Sequence, residues 1–380
     1  MNSVIQERDI PSLACGARYL GSGGGGNSYL LQLLTMRAIR DCGPVPFVSA
    51  LAMDEGTWSA PVAIMGSPSI LNEKILTGVE LLQAVQILEE QAGIRIDALM
   101  GLEIGGLNAL TPVLAAALSG RPLLDSDGMG RAFTELQMTT FHAFGVSASP
   151  LVMVNEQGRW EHIATPSNWD VEWIARRKVI DLGGWATIAS YPMKLQQVKE
   201  VGIHQSFSLA KRLGDSVIAA KEDIHQVMKA LVQIFSHSLY GRPAKLIEGK
   251  VVELERRITG GMMNGMLVIE GEGEHIGEQL EVVFQNEFLL AKQGDRLIAT
   301  VPDLLCVLDV DNGFPIVVEE MENHKKVWVV AIPAHPLIRH SKMLQTVGPK
   351  RYGLAKEFIP LEQLRQSDDR EAEGHVSAGY

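Results

Sequence analysis

The chain has 380 residues, of which 46% are hydrophobic and 21% charged, and this mixture excludes a disordered or fibrous protein. Its 34 Lys and Arg residues against 45 Asp and Glu residues give a formal net charge of −11, which argues against nucleic acid and anionic membranes as partners. A chain of this length exceeds one ordinary core, so we predict two or three domains.

The three cysteines, Cys15, Cys42 and Cys306, are far apart in the sequence. Their spacing excludes a disulfide framework and a CxxC zinc site, and it favours a reducing compartment. The first residues lack the basic and apolar regions of a signal peptide, and no apolar run approaches the roughly 20 residues that span a bilayer. We therefore expect a cytoplasmic protein that acts on a small molecule.

Strands and helices alternate over residues 1–165, which we predict to be an N-terminal α/β domain. The apolar periodicity predicts helices at 13–20, 27–39, 78–92, 109–118 and 131–144, and strands at 62–65, 98–102, 122–124 and 151–154. This alternation predicts a Rossmann-like, mostly parallel sheet with helices on both faces. Ligands of such sheets bind in loops beyond the carboxyl ends of the strands.

The remaining sequence divides into three predicted segments. Residues 166–243 read as a helical segment that packs on the α/β domain, with Ser167 or Asn168 as an N-cap and Gly214 as a kink or break. Residues 244–360 carry β-branched segments separated by turn signals, which predicts a mainly antiparallel C-terminal β domain. Residues 361–380 are polar, and we expect a mobile tail.

A glycine loop follows the first predicted helix. Residues 21–26 match GxGxxG, but no strand precedes the loop and no Gly-Lys-Ser/Thr closes it, so neither a dinucleotide site nor a Walker loop is indicated. Backbone amides in such a loop can bind a carboxylate or a developing oxyanion. We predict substrate binding here, with a plain turn as the alternative, by Gly23, Gly24, Gly25, Gly26 and Asn27.

A second loop follows the predicted strand at 98–102 and contains Glu103 and Asn108. Because Glu103 lies at the carboxyl end of a strand beside a Gly-Gly turn, we expect it to be catalytic, and we expect Asn108 to bind substrate. Capping of the next helix by Asn108 is the structural alternative. A third loop, 66–74, offers Glu73 as a substrate-binding residue, although a solvated face explains Glu73 and Lys74 equally well.

The segment from Asp125 to Glu135 is the most distinctive of these loops. In an extended strand Asp125 and Asp127 point the same way, so they repel each other unless a proton, a cation or Arg131 lies between them. A catalytic base uses such an arrangement, and a divalent metal held by the carboxylates is an alternative. We predict catalytic roles for Asp125, Asp127, Arg131 and Glu135; an Asx-turn with a structural ion pair is the competing interpretation.

Other reactive residue types give weaker signals. Cys15 lies near the glycine loop, and a buried small residue is favoured over a nucleophile. His335 and His340 lack zincin spacing, and we expect them at the surface. No Gly-x-Ser-x-Gly elbow occurs, which argues against an α/β-hydrolase.

The loops resemble, in this order, those of the S-methyl-thiohydantoin desulfurase family, long described only as a domain of unknown function. The resemblance covers residues 7–360, and its matching segments are 21–27, 103–108, 125–135, 285–287 and 302–305. It implies a two-domain protein associated with hydantoinase and oxoprolinase functions. It also implies hydrolysis at the thio-substituted carbon of a five-membered thiohydantoin ring, with release of a sulfur leaving group.

We therefore expect a homo-oligomeric hydrolase in which Asp125 or Asp127 activates water and Glu103 protonates the leaving group. Arg131 or the glycine amides would hold negative charge on the substrate. Two alternatives remain at this point: a ligand-binding or scaffolding partner of a hydantoinase- or oxoprolinase-like complex, and a nucleotide-dependent accessory enzyme. The sequence identifies no certain cofactor.

Overall fold

The computed structural model describes residues 3–66, 70, 74, 76–220, 222–259 and 262–365. The chain forms two compact units. The first contains Met1–Gly21 and Gly25–Ala219, and the second contains Ser22–Gly24 and Ala220–Tyr380. The chain therefore leaves the first unit for three residues, inside the glycine loop, and then returns to it.

The first unit is an α/β structure. Its helices are α1 (Ile10–Leu20), α2 (Tyr29–Cys42), α3 (Val79–Ala92), α4 (Thr111–Ser119), α5 (Thr140–Ala143), α6 (Asn168–Asp181), α7 (Leu195–Val201) and α8 (Ser206–Ala219). Its main strands are β1 (Ser3–Ile5), β2 (Val45–Val48), β3 (Trp58–Gly66), β4 (Ala98–Gly101), β5 (Leu123–Leu124), β7 (Leu151–Val154), β8 (Trp160–Ile163), β9 (Trp185–Ala189) and β10 (Met193–Lys194).

These strands form one sheet in the order β1-β2-β5-β4-β3-β9-β7-β8, with β10 also paired to β3. Strands β2, β5, β4 and β3 are parallel to one another, as the alternation of strands and helices predicts. The other pairings are antiparallel. The sheet is therefore mixed and not mostly parallel, because β7 and β8 form a hairpin and β9 enters between that hairpin and β3.

The predicted helix at 131–144 is wrong except for its last turn, α5. The reason is that backbone amides in this segment bind partners distant in sequence. The Ala132 amide donates to the Leu20 carbonyl, and the Leu136 amide donates to the Glu172 carboxylate. An α-helix would direct those amides to carbonyls four residues earlier.

The segment after residue 165 contributes helices and also strands β9 and β10. The Ser167 hydroxyl accepts a hydrogen bond from the Asp170 amide and caps α6, as predicted. Gly214 does not break its helix; the break follows Ala219. Gly214 instead permits close packing, since a Cβ there would lie 1.7 Å from the Ser12 carbonyl oxygen on α1.

A two-stranded ribbon accompanies the main sheet of the first unit. It consists of β6 (Ser126–Asp127) and β11 (Ile203–His204), paired antiparallel with Asp127 opposite Ile203. Because β11 runs directly into α8, the ribbon brings the acidic segment next to the first turn of that helix.

The second unit contains a seven-stranded antiparallel sheet, which confirms the predicted C-terminal β domain. The strands are β12 (Ala244–Thr259), β13 (Met262–Gly271), β14 (Gln279–Gln285), β15 (Glu287–Gln293), β16 (Arg296–Thr300), β17 (Leu304–Asp309) and β18 (Lys326–Ile332), in the order β16-β15-β14-β13-β12-β18-β17. Helices α9 (Ile224–Ser236) and α10 (Ser341–Val347) belong to this unit. Its core includes Ile247, Val282, Phe284, Phe288 and Val329.

At the start of the predicted tail, the Leu361 amide donates to Asp303 and Glu362 pairs with Arg339. The rest of the predicted tail, from residue 366, lies outside the described residues. Among the helices described, none is long and apolar enough to cross a membrane.

Candidate functional site

Asp127 is a fully buried residue of the predicted site, with no exposed surface. Its Oδ2 accepts hydrogen bonds from the amides of Met129 at 3.0 Å and Gly130 at 2.7 Å. Its Oδ1 has no hydrogen-bond partner among the described residues. Burial raises the pKa of this carboxyl to about 7, although the amides of Gly130 and Met129, the nearby Ser206 hydroxyl and the Ile104 amide oppose the increase.

Asp125 has its own set of partners at the start of α8. Its carboxylate accepts from the Ser208 amide at 3.1 Å and from the Ser208 hydroxyl at 2.5 Å, and its carbonyl accepts from the Gln205 amide at 2.9 Å. Burial raises the pKa of Asp125, and the hydrogen bonds from Ser208 oppose that increase. Asp125 therefore anchors the first turn of α8, while Asp127 keeps one oxygen for which the described part of the chain offers no hydrogen-bond partner.

Glu103 and Asn108 form a hydrogen-bonded pair near Asp127, since a Cβ on Gly101 would lie 3.1 Å from the Glu103 carbonyl oxygen and 3.2 Å from the Asp127 Cβ. The Asn108 side-chain amide donates to Glu103 Oε1 at 2.7 Å and to the Ile64 carbonyl at 3.0 Å. Its oxygen accepts from the Ile64 amide at 2.7 Å and from the Thr111 hydroxyl at 3.2 Å. The hydrogen-bonding capacity of Asn108 is thus occupied, and its geometry is that of a residue that orients Glu103.

Three loops that are distant along the chain meet in the first unit. The Gly25 carbonyl accepts from the Leu107 amide at 2.9 Å, and a Cβ on Gly106 would lie 2.3 Å from the Gly25 Cα. A Cβ on Gly105 would lie 2.6 Å from the Ala132 Cβ. The Gly128 amide donates to the Leu102 carbonyl at 3.1 Å. Glycine is required at 25 and 106 because two backbones touch there.

Residues Ser22–Gly24 of the glycine loop bind and pack against residues of the second unit, which the sequence does not reveal. In the second unit, the carbonyls of Ser22 and Gly23 accept from the amides of Phe288 and Val318. A Cβ on Gly24 would lie 2.6 Å from the Glu287 side chain. Two of the C-terminal segments noted in the sequence, 285–287 and 302–305, therefore lie in or beside the part of the second unit that holds Ser22–Gly24.

Among the described residues, no protein acceptor is seen for the amides of Gly25 and Gly26, whose φ angles are 84° and 63°. These amides remain the candidates for binding an anionic group. Asn27 is exposed, and its side-chain oxygen accepts from the Tyr29 amide at 2.9 Å, so it also organises the start of α2.

Arg131 and Glu135 lie further along the acidic segment. Arg131 is fully buried; its Nε donates to the Ala132 carbonyl at 3.1 Å and its guanidinium lies 4.9 Å from the centre of the Phe133 ring. Glu135 is half-buried and accepts from the Gln137 side chain at 2.5 Å.

Three serines that sequence reasoning passed over belong to this site or border it. Ser206 and Ser208 lie in the first turn of α8, next to Asp127 and Asp125, and the buried Ser126 lies between the two aspartates. A Gln-Ser-Phe-Ser run before an apolar helical pattern is an N-terminal helix signal that could have identified the first two. Their proximity to the aspartates depends on the β6–β11 pairing.

The remaining residues singled out from the sequence are not among those described around Asp125 and Asp127. Glu73 lies outside the described residues, and Lys74 forms an ion pair with Glu156 at 2.7 Å. Cys15 is buried, and burial raises its pKa to about 12, which disfavours a nucleophilic thiolate. His335 is buried and packs against Tyr240, so the prediction of a surface position is wrong for His335.

Within the described part of the chain, no group of three or more His, Cys, Asp or Glu side chains is arranged to hold a metal ion. Asp125 and Asp127 bind amide and hydroxyl donors, whose hydrogen bonds occupy most of their oxygens. The arrangement can support proton transfer at Asp127 Oδ1, with Glu103, Asp125 and Asn108 each 8–9% exposed at its margin.

Comparison with known proteins gives a family and a fold. The family models "S-Me-THD-like, N-terminal domain" and "S-Me-THD-like, C-terminal domain" match residues 8–165 and 166–361. No curated protein matches the chain. A crystal structure of a protein from Chromobacterium violaceum, a structural genomics target, is similar with a TM-score of 0.77 and 22% identity, covering 94% of this chain and 100% of that one.

Proposed function

Since the chain belongs to the S-Me-THD-like family, the S-methyl-thiohydantoin desulfurase family, we propose that it hydrolyses a small cyclic thioamide of the thiohydantoin type. Water would attack the ring carbon between the two nitrogens, and the bond from that carbon to sulfur would break. The products would be a thiol and the corresponding hydantoin, so the two hydrogens of water end on the sulfur and on the ring.

The observation that supports this proposal most directly is the state of Asp127. A general base is most effective when its pKa lies near the operating pH. Burial brings the pKa of Asp127 to about 7, two amides fix its orientation, and Oδ1 is the oxygen without a partner among the described residues. We assign Asp127 as the base that takes a proton from water at Oδ1.

The surrounding groups have complementary roles in this proposal. Glu103, oriented by Asn108, protonates the departing sulfur. The amides of Gly25 and Gly26 stabilise negative charge that develops on the ring, a contribution that is typically worth about 10²–10³-fold in rate. Asp125 positions the first turn of α8 through Ser208, and that turn carries Ser206 next to Asp127.

The proposal is tested by incubating the purified chain with S-methyl-thiohydantoin, unsubstituted thiohydantoin and hydantoin. Released thiol or sulfide is measured with a thiol-reactive chromophore, and the ring product is identified by mass spectrometry. We expect one equivalent of thiol for each hydantoin formed. Binding of these rings by calorimetry without any release of thiol or sulfide would refute hydrolysis and support a ligand-binding protein.

A further inference from the structure

The last residues of strand β12 have no paired strand on one side in the described part of the second unit. Strand β12 pairs with β18 only from Ala244 to Lys250, whereas its pairing with β13 continues to Thr259. A bulge between Val251 and Glu253 marks the point at which β12 leaves β18. From Glu253 to Thr259, β12 therefore has a strand on one side and, among the described residues, none on the other.

Among the described hydrogen bonds, this edge is joined to a segment other than β13 only through the Arg256 side chain, which donates to the carbonyls of Val318 and Glu319. Residues 252–259 are exposed except for the half-buried Leu254, and 74% of the Ile258 surface is accessible. Their backbone groups form no described hydrogen bonds outside the sheet. An unprotected edge of this length is a template for another strand.

The charges along the edge are self-complementary. Successive side chains alternate between the faces of a strand, so Leu254, Arg256 and Ile258 share the face on which Leu254 packs against the core. The opposite face carries Glu253 and Glu255 first and Arg257 afterwards. A sequence that is acidic and then basic matches its own reverse, which is how a second copy meets it in an antiparallel pair.

The register centred on Arg256 pairs most of the edge and matches charges on one face and apolar side chains on the other. In a twofold antiparallel pair, opposite residues lie on the same face. Centring the pair on Arg256 sets Glu255 opposite Arg257 of the second copy and Leu254 opposite Ile258, each of them twice. Centring on Leu254 would set Glu253 opposite Glu255. Centring on Glu255 would set Glu253 opposite Arg257, but it would also set Glu255 opposite itself and the apolar Leu254 opposite Arg256. Like charges in such positions are destabilising.

Arg256 meets its own copy at the centre of the favoured register. Its Nη1 is bound to the carbonyls of Val318 at 3.3 Å and Glu319 at 3.0 Å within its own chain. These bonds direct the guanidinium towards its own chain, and the Glu319 carboxylate interacts with its charge, so the central pair opposes association less than two uncompensated arginines would.

We propose that the chain forms a twofold homodimer in which the Glu253–Thr259 edges of two copies pair antiparallel in the register centred on Arg256. The dimer joins the two sheets into one continuous sheet. The proposal is independent of the reaction proposed above, because it rests only on residues of the second unit's sheet.

The test compares variants of the full chain by sedimentation equilibrium over a dilution series. Arg257→Glu and Glu255→Arg each set like charges opposite each other at two places, and we expect each to raise the dimer dissociation constant at least about tenfold. The double variant Glu255→Arg/Arg257→Glu restores opposite charges, so its dissociation constant returns towards that of the wild type. Arg365→Glu, an exposed charge reversal elsewhere, is the matched control and leaves association unchanged.

A wild-type chain that is monomeric throughout the series would overturn the proposal. A dimer that is as tight in Arg257→Glu as in the wild type, or a double variant that stays monomeric, would overturn it as well. Unchanged circular dichroism of each variant establishes that the chain is folded.

Discussion

The Ser22 hydroxyl exchanges two hydrogen bonds with the backbone of Leu305, donating to its carbonyl at 3.0 Å and accepting from its amide at 2.9 Å. The two residues are 283 positions apart, and both are buried. Through these bonds the segment Ser22–Gly24, from the N-terminal part of the sequence, is attached to strand β17 of the second unit.

Removing this hydroxyl should destabilise the protein. In Ser22→Ala the amide and carbonyl of Leu305 each lose a buried partner, and an unsatisfied buried group costs about 1–3 kcal/mol. We expect the urea midpoint to fall accordingly. Exposed Ser147→Ala, which removes a hydroxyl bonded locally to residue 149, is the control with little effect. An unchanged midpoint in Ser22→Ala would contradict the contact.

Because Gly25 and Gly106 are in backbone contact, adding a methyl group at position 106 should strongly reduce the free energy of unfolding. In Gly106→Ala the new Cβ meets the Gly25 backbone at 2.3 Å, and the residue must also keep a φ of 58°. Gly120→Ala is the matched control, since its φ is 69° and no atom lies within 4 Å. We expect about 1 kcal/mol for the control and a clearly larger loss of unfolding free energy for Gly106→Ala. Equal losses would show that backbone conformation alone requires this glycine.

Replacing Asp127 with Asn should reduce turnover while preserving the fold. Asn keeps an oxygen for the amides of Met129 and Gly130 but cannot take a proton from water, and general-base catalysis contributes about 10²–10⁴-fold. We expect thiol release to fall by at least about tenfold. Asp223→Asn, the same change at the cap of α9, should leave activity and stability near wild type. Full activity in Asp127→Asn would remove Asp127 from the mechanism.

The raised pKa of Asp127 predicts how the reaction depends on pH. Because the base must be ionised, kcat/KM should increase as the pH rises through about 7. A profile that is flat between pH 5 and pH 9 would exclude a base with this pKa.

The raised pKa of Asp127 also predicts that the stability difference between the wild type and Asp127→Asn changes with pH. Its pKa is higher in the folded state than in the unfolded state, so its protonation stabilises the fold below about pH 4, and this contribution is lost as the pH rises through about 7. The free energy of unfolding of the wild type, minus that of Asp127→Asn, should decrease between these values by about 1.4 kcal/mol for each unit of pKa difference. Urea titrations of both proteins at several pH values measure this difference in the free energy of unfolding. A difference that is constant with pH would show that Asp127 is ionised in both states.

Local sequence patterns were sufficient for much of the secondary structure. Apolar periodicity and caps located α1, α3, α4, α6 and β7 to within a few residues, and turn signals located the antiparallel sheet. Local signals failed at 131–139, where the amides of Ala132 and Leu136 donate to Leu20 and Glu172. They failed also at Gly214, where the requirement for glycine comes from Ser12 on another helix.

The sequence alone therefore determined the class of each half and the loops that carry polar groups, because periodicity, glycine and paired carboxylates are properties of neighbouring residues. Only the tertiary structure decided that the sheet is mixed, that Asp125 binds Ser208, and that Asp127 has an oxygen without a described partner. The physical reason is that burial and long-range hydrogen bonds set the protonation and orientation of a carboxyl. Both depend on which distant segments pack against it.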